Sequence, residues 1–252
     1  MALILVHPYN LTVLASQSAA TAPASNLNVD YPNMVWKSTG TTGAFIEVRL
    51  DSSLSWDFIG LVGANLFAAD AVRIRSATSQ ANLTASPAYD QTFNVTGTAN
   101  SDYNLVYHIP ASAKTHRFIR LDFTLSGNPN PHVQAKRLVI GKRLEGDDVD
   151  VGADFNIEDT SRISDYRGIQ ISDPFDAKDS WKFSVGYVKA TDYNTKWRNF
   201  IKGALGKAVL FIPDTLNNSH NQESVFGRLQ GPTNAGLITG DAYKVNLYIR
   251  EV

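Results

Sequence analysis

The sequence predicts an all-β protein: one β-sandwich followed by a second β-sandwich or barrel domain that carries a single α-helix. Three observations predict it. Short apolar runs with period-two alternation recur along most of the 252 residues. Clusters of Gly, Pro and Asn separate them, as in sandwiches and barrels. One stretch, 191–206, repeats its apolar residues at helical spacing instead.

Composition sets the outer limits. Hydrophobic content of 43% and charged content of 19% belong to a chain with a real core. The 23 basic and 24 acidic residues nearly cancel. No global field therefore draws the chain to nucleic acid or to an anionic membrane. The absence of cysteine removes disulfides, thiol catalysis and cysteine metal sites, and fits either folding in the cytoplasm or a particle that meets both reducing and oxidising surroundings. Glycosylation-like triplets at Asn10, Asn82, Asn94 and Asn217 are the chance yield of an Asn- and Thr-rich chain. Met1 to Pro8 is apolar but lacks the basic flank and length of a signal peptide, and no apolar run reaches membrane-spanning length. Membrane insertion is not expected.

In chain order, Leu3 to Val6 and Leu11 to Leu14 read as strands around the turn His7-Pro8-Tyr9-Asn10. Residues 15–26 are nearly all small or polar and read as an exposed loop. Met34-Val35-Trp36 enters the core. In Ala44 to Leu50, Ile46, Val48 and Leu50 point inward and Phe45, Glu47 and Arg49 outward. Trp56 to Val62 follows, with Gly60 and Gly63 marking a bulge or a close backbone approach. Val72 to Arg75 turns its arginines outward. Residues 77–103 read as a long polar excursion with one short strand at Thr92 to Val95. Leu105 to Ile109, Arg117 to Phe123 and Val133 to Ile140 complete the first half. In the second of these, Arg117, Arg120 and Asp122 keep charge at the edges.

Seven of the fifteen residues from Glu145 to Asp159 are acidic and none is basic. This shift places a domain boundary, dividing the chain into 1–143 and 144–252. Beyond it, strands are expected at Gly168 to Ser172, Trp181 to Lys189, Ala208 to Ile212, Ser224 to Leu229 and Ala242 to Arg250. Tyr193, Trp197, Phe200, Ile201 and Leu205 define the helix, with Thr191 as N-cap and Gly206 as its stop.

Chemistry-bearing motifs are few. Asp148, Asp150, Asp154 and Asp159 mimic a calcium loop, but Gly152 stands at a ligand position and Ala153 where the turn glycine belongs. A solvated acidic linker accounts for them better. Gly203-Ala-Leu-Gly206-Lys207 resembles half a phosphate loop. Ile201 replaces the upstream glycine and Ala208 the magnesium-binding Ser or Thr, so it reads as a helix C-terminus. His7, His108, His116, His132 and His220 show no metal-ligand spacing, and no Gly-x-Ser-x-Gly elbow is present. Nothing calls for a cofactor, a metal or a catalytic residue, and the chain is not expected to be an enzyme. A glycan-degrading enzyme built on dispersed carboxylates is the outlying alternative. Trp36, Trp56, Trp181 and Trp197 sit at apolar positions and read as core. Tyr31, Tyr89 and Tyr103 fall in expected loops and are the candidate binding residues, for sugar stacking or a protein interface.

Ala24-Ser25-Asn26-Leu27, Val35-Trp36-Lys37-Ser38, Phe45-Ile46-Glu47-Val48 and Ile59-Gly60-Leu61-Val62-Gly63-Ala64-Asn65-Leu66, in this order, resemble the discoidin-like (galactose-binding-like) jelly roll of bacteriophage minor tail proteins. Lys37 replaces the more usual Arg. Phe118 to Leu121 and Arg137 to Gly141 resemble later strands of the same domain. Leu210 to Asp214 and Val225 to Leu229 more loosely resemble the C-terminal part of those proteins. The resemblance implies a virion component made in the host cytoplasm: a tail-tip or distal-tail subunit in a homo-oligomeric ring around the tail axis. Its implied partners are other tail proteins (tail tube, baseplate hub, tape-measure region) and a host-surface glycan. Loops 15–33 and 77–103 would meet those neighbours. The rival function is a carbohydrate-binding module recognising a cell-surface glycan. The resemblance transfers no catalytic residue.

Overall fold

A computed structural model describes residues 3–31, 34–95, 104–146, 150, 153–166, 169–173, 177–215, 223–231 and 233–252. It is mostly β, with antiparallel sheets and one long helix. It divides into two compact units. One is Val6–Arg143 with Leu216–Ser224; the other is Met1–Leu5, Leu144–Thr215 and Val225–Val252.

The chain begins with β1 (Leu3–Val6). The first unit then contains β2 (Leu11–Ser16), β3 (Trp36–Lys37), β4 (Phe45–Leu50), β5 (Phe58–Ala64), β6 (Ala71–Ala77) and β7 (Tyr89–Asn94). It continues through β8 (Asn104–His108), β9 (Phe118–Thr124), β10 (Gln134–Ala135) and β11 (Arg137–Gly141). A five-stranded sheet, β2-β4-β9-β6-β7, and a three-stranded sheet, β11-β5-β8, form a sandwich, and β3 pairs with β10. The inward residues of both sheets share one core. Ile46, Val48, Leu50, Ile74, Ile119 and Leu121 come from one sheet, and Ile59, Leu61, Leu138 and Ile140 from the other. Trp36 and Trp56 are fully buried in it. Removing some 150–250 Å² of each indole from water contributes about 4–6 kcal/mol per ring. Gly63 adopts φ +63°, and the β5–β8 register shifts between Leu61 and Ala64. The bulge expected at the glycines is therefore real.

Several expectations give way to tertiary context. Residues 15–26 are not simply an exposed loop. Ser16 ends β2, a 3-10 turn spans Ala24–Asn28, and Ala22, Ala24 and Leu27 are buried. Small residues fit under the sheet where large ones would not, so their size says little about exposure. The 77–103 excursion carries a single helical turn, α1 (Asn82–Ala85), whose Leu83 is fully buried. Residues 96–103 of that loop lie outside the described set.

The second unit contains β12 (Arg143–Gly146), β13 (Asp154–Glu158), β14 (Arg162–Tyr166), β15 (Ile169–Asp173), β16 (Lys178–Lys189), β17 (Ala208–Ile212), β18 (Val225–Leu229), β19 (Asn234–Thr239) and β20 (Ala242–Glu251). Its main sheet runs β12-β1-β17-β18-β20-β16-β13, with β19 added on β20. β1 thus pairs here, although the sequence places residues 1–143 together. The acidic segment forms strands at both its ends.

Helix α2 spans residues 190–204, with a π-turn at Tyr193–Trp197. Lys189 is its N-cap, without a side-chain bond. Thr191 lies within the first turn, and its carbonyl accepts the Thr195 hydroxyl at 2.7 Å. Gly206, at φ +74°, lets the chain turn out of the helix, as expected. Trp197 enters the core with Trp181, Phe183 and Phe211, while Leu205 lies just past the helix end and is exposed. No helix among the described residues is long and apolar enough to cross a membrane.

Candidate ligand-binding site

The loop between the 3-10 turn and β3 is held from beneath by Arg137 of β11. Its guanidinium, almost fully buried, donates from Nε to Asp30 Oδ1 at 3.0 Å, and from Nη1 to the Leu27 carbonyl at 2.6 Å and to Asn28 Oδ1 at 3.1 Å. Burial draws its pKa down while Asp30 raises it. Two amides fasten the flanks: Asn26 Nδ2 donates to the Val35 carbonyl at 2.8 Å and Asn28 Nδ2 to the Leu11 carbonyl at 3.0 Å. Asn is suited to this work because its amide bonds backbone groups that a turn leaves open. Beyond the fastened part stands Tyr31, 64% exposed, and the Met34 N–H donates to its carbonyl at 3.1 Å. Met34 is exposed as well. Tyr31 follows Asp30, whose carboxylate Arg137 holds, and its own side chain is exposed.

Tyr89 has a different setting from the loop expected of it. It opens β7, the edge strand of the five-stranded sheet. Its hydroxyl lies 2.7 Å from Nε2 of His108, on β8, the edge of the other sheet. Phe93 stacks on His108 at 5.0 Å, Trp56 meets Tyr89 edge-on at 6.4 Å, and the Lys114 ammonium lies 4.7 Å above the Tyr89 ring. Burial raises the Tyr89 pKa and lowers that of His108. Burial, then the Lys114 charge, lowers His116, whose Nδ1 is 2.8 Å from the Ser76 hydroxyl. This cluster closes the side of the sandwich and leaves Tyr89 engaged on its ring and its hydroxyl. Tyr103 lies outside the described residues.

The remaining motifs resolve locally. Asp148 and Gly152 of the calcium-like run are outside the described residues. Asp150 accepts from Ser184 Oγ at 3.0 Å and Gly186 N–H at 3.1 Å, and pairs with Lys244 at 3.1 Å. No group of three His, Asp or Glu among the described residues could hold a metal ion. Sequence reasoning missed the Arg137–Asp30 clamp, since the two are 107 positions apart. It also missed the commitment of Arg120, which it left at a strand edge. Arg120 bonds Glu47 at 2.6 Å and Asp122 at 2.7 Å and lies over Phe45. Arg117 likewise donates to the Leu50 and Asp51 carbonyls.

No protein-family model and no curated protein matches the chain. Solved structures do. A chitosan-binding module from a Paenibacillus sp. IK-5 chitosanase/glucanase is 19% identical over 53% of this chain and 98% of its own, with a TM-score of 0.40. The family 32 carbohydrate-binding module of C. perfringens NanJ, solved with galactose, is 13% identical over 56% of this chain and 99% of its own, TM-score 0.40. XRCC1, solved with the DNA polymerase β catalytic domain, is 10% identical over 54% of this chain and 99% of the solved chain, TM-score 0.40. Identities of this size transfer no ligand.

Proposed function

We propose that the protein is a non-catalytic recognition protein whose discoidin-like sandwich binds a cell-surface glycan through the loop that presents Tyr31. The observation that carries this reading is the exposed Tyr31 ring, next in sequence to an Asp30 carboxylate held by the buried Arg137. An amphipathic ring supplies apolar contact to a sugar face, and its hydroxyl supplies a hydrogen bond at the tip. A glycan array with the full chain tests it. Tyr31→Ala lowers affinity for at least one bound glycan about tenfold, and Tyr31→Phe, which keeps the ring, retains most of it. Equal binding by Tyr31→Ala overturns the reading.

One observation favours a second reading, a bacteriophage tail-tip subunit that assembles in a ring with tail-tube, hub and tape-measure partners. The main sheet of the second unit ends on β13, which has no further strand beside it among the described residues and exposes Phe155 and Ile157. An open edge with apolar side chains is a template for pairing with another chain. Light scattering after size exclusion reads this directly: an oligomer that Ile157→Lys dissociates supports assembly through β13, and an oligomer indifferent to that change contradicts it.

A further inference from the structure

We propose that the second unit carries its own ligand site, an open cleft on the polar face of β13, β16 and β20, built for a neutral oligosaccharide. The inference is independent of the Tyr31 loop.

The cleft is open to solvent and has a volume of about 900 Å³. Its floor follows from strand register. Asp154, Lys182 and Tyr248 stand opposite one another in one row across the sheet; Asn156, Ser180 and Arg250 form the next; Ser184, Asn246 and Asn234 form a third. Directly opposed residues share a face, so these side chains emerge together. The intervening residues Trp181, Phe183, Leu247 and Ile249 belong to the core.

Some of the floor is fixed internally. The Tyr248 hydroxyl donates to Glu158 Oε1 at 2.6 Å, and Arg250 Nε holds Glu158 Oε2 at 2.7 Å. This chain anchors the phenol at its polar end and leaves a half-buried ring lining the cleft. Asn246 Nδ2 donates to Asn234 Oδ1. Other groups are uncommitted. Asp154, Asn156, Lys182 and Gln230 line the cleft and make no side-chain hydrogen bond or ion pair among the described residues.

The chemistry of this set selects the ligand. Charge is balanced, Asp154 facing Lys182 and Glu158 facing Arg250, so neither a phosphate chain nor a polycation finds a complementary field. The lining is amphipathic: Ile157, Phe183 and Leu247 add apolar surface beside the polar side chains. Amides, hydroxyls and a carboxylate offer donors and acceptors at regular cross-strand spacing, together with one anchored aromatic ring. That is the complement of a neutral polyhydroxylated chain.

The test is an NMR titration of the full-length protein with neutral hexasaccharides of glucose, galactose and N-acetylglucosamine. At least one of them shifts the side-chain amide resonances of Asn156, Asn246 and Gln230. Asn156→Ala with Gln230→Ala weakens that binding at least about tenfold, while Tyr31→Ala leaves it unchanged. Both cleft positions are exposed, so the double variant keeps its fold, checked by its melting curve. Loss of sugar binding in Tyr31→Ala alone overturns the cleft site and leaves the sandwich reading standing. Absence of any amide shift at millimolar sugar also overturns it.

Discussion

Two polar sheet faces of this chain have the same alternating pattern in sequence and use their side chains in opposite ways. On the sandwich, the outer face of β4, β9, β6 and β7 is occupied by its own charges. Arg120 bridges Glu47 and Asp122, Arg75 bonds Asp122 at 2.6 Å, and Arg73 bonds Asp90 at 2.6 Å. Glu47 and Arg75 are buried in this ladder. On the second unit, the cleft face leaves Asp154, Asn156, Lys182 and Gln230 without side-chain partners among the described residues. Period-two alternation says only which residues leave the core. Register and side-chain reach decide whether those residues satisfy one another or remain available to a ligand. The first arrangement makes structure, and the second makes a site.

Cutting the ladder at its centre has the largest expected effect. Arg120→Ala leaves Glu47 and Asp122 without their shared cation. Its partial exposure brings the cost below that of a fully buried pair, to about 2 kcal/mol, measured by urea denaturation. A loss near zero would make the ladder ordinary surface charge.

The edge cluster adds a pH dependence. Burial holds the pKa of His108 and His116 below the ordinary 6.5 of the unfolded chain. A base whose pKa is depressed on folding takes up its proton more readily when unfolded. Stability is therefore full above about 6.5 and declines as the pH falls below it toward the folded-state values. The melting temperature decreases across that window, and His108→Gln flattens the slope. A melting temperature independent of pH there would contradict the burial of this cluster.

At the small end, Asn156→Ala changes stability by no more than about 0.5 kcal/mol, because it removes no contact. Arg73→Ala, at the solvent end of the ladder, leaves the unfolding midpoint unchanged. A marked destabilisation by Asn156→Ala would show that the cleft is structural after all.

Much of the architecture was legible because it is local. Ile46, Val48 and Leu50 are fully buried, as their alternation requires, and Gly63 and Gly206 hold the backbone conformations that their positions suggest. Long-range pairing was not legible. Nothing in Leu3 to Val6 states that β1 lies between β12 and β17. β19, with Leu237 and Ile238 exposed and only Ala235 partly buried, has no apolar face to announce it, and sequence reasoning misses it. Thr191 is a reasonable cap, yet the cap is Lys189, two residues earlier, because β16 runs directly into the helix. Of the candidate tyrosines, Tyr31 stands free in a loop and Tyr89 is built into an edge. The distinction depends on His108 and Lys114, which only folding brings to Tyr89. The cleft was invisible for the same reason: its rows join residues from four separate strands.

Whether one polar face is structural and the other a ligand site is decided by two properties measured on the same pair of variants. Urea unfolding and hexasaccharide titration are run on Arg120→Ala and on Asn156→Ala with Gln230→Ala. The expected result is crossed: the ladder variant loses stability and keeps its sugar affinity, and the cleft variant keeps its stability and loses affinity. A cleft variant that binds sugar like the parent chain would contradict it.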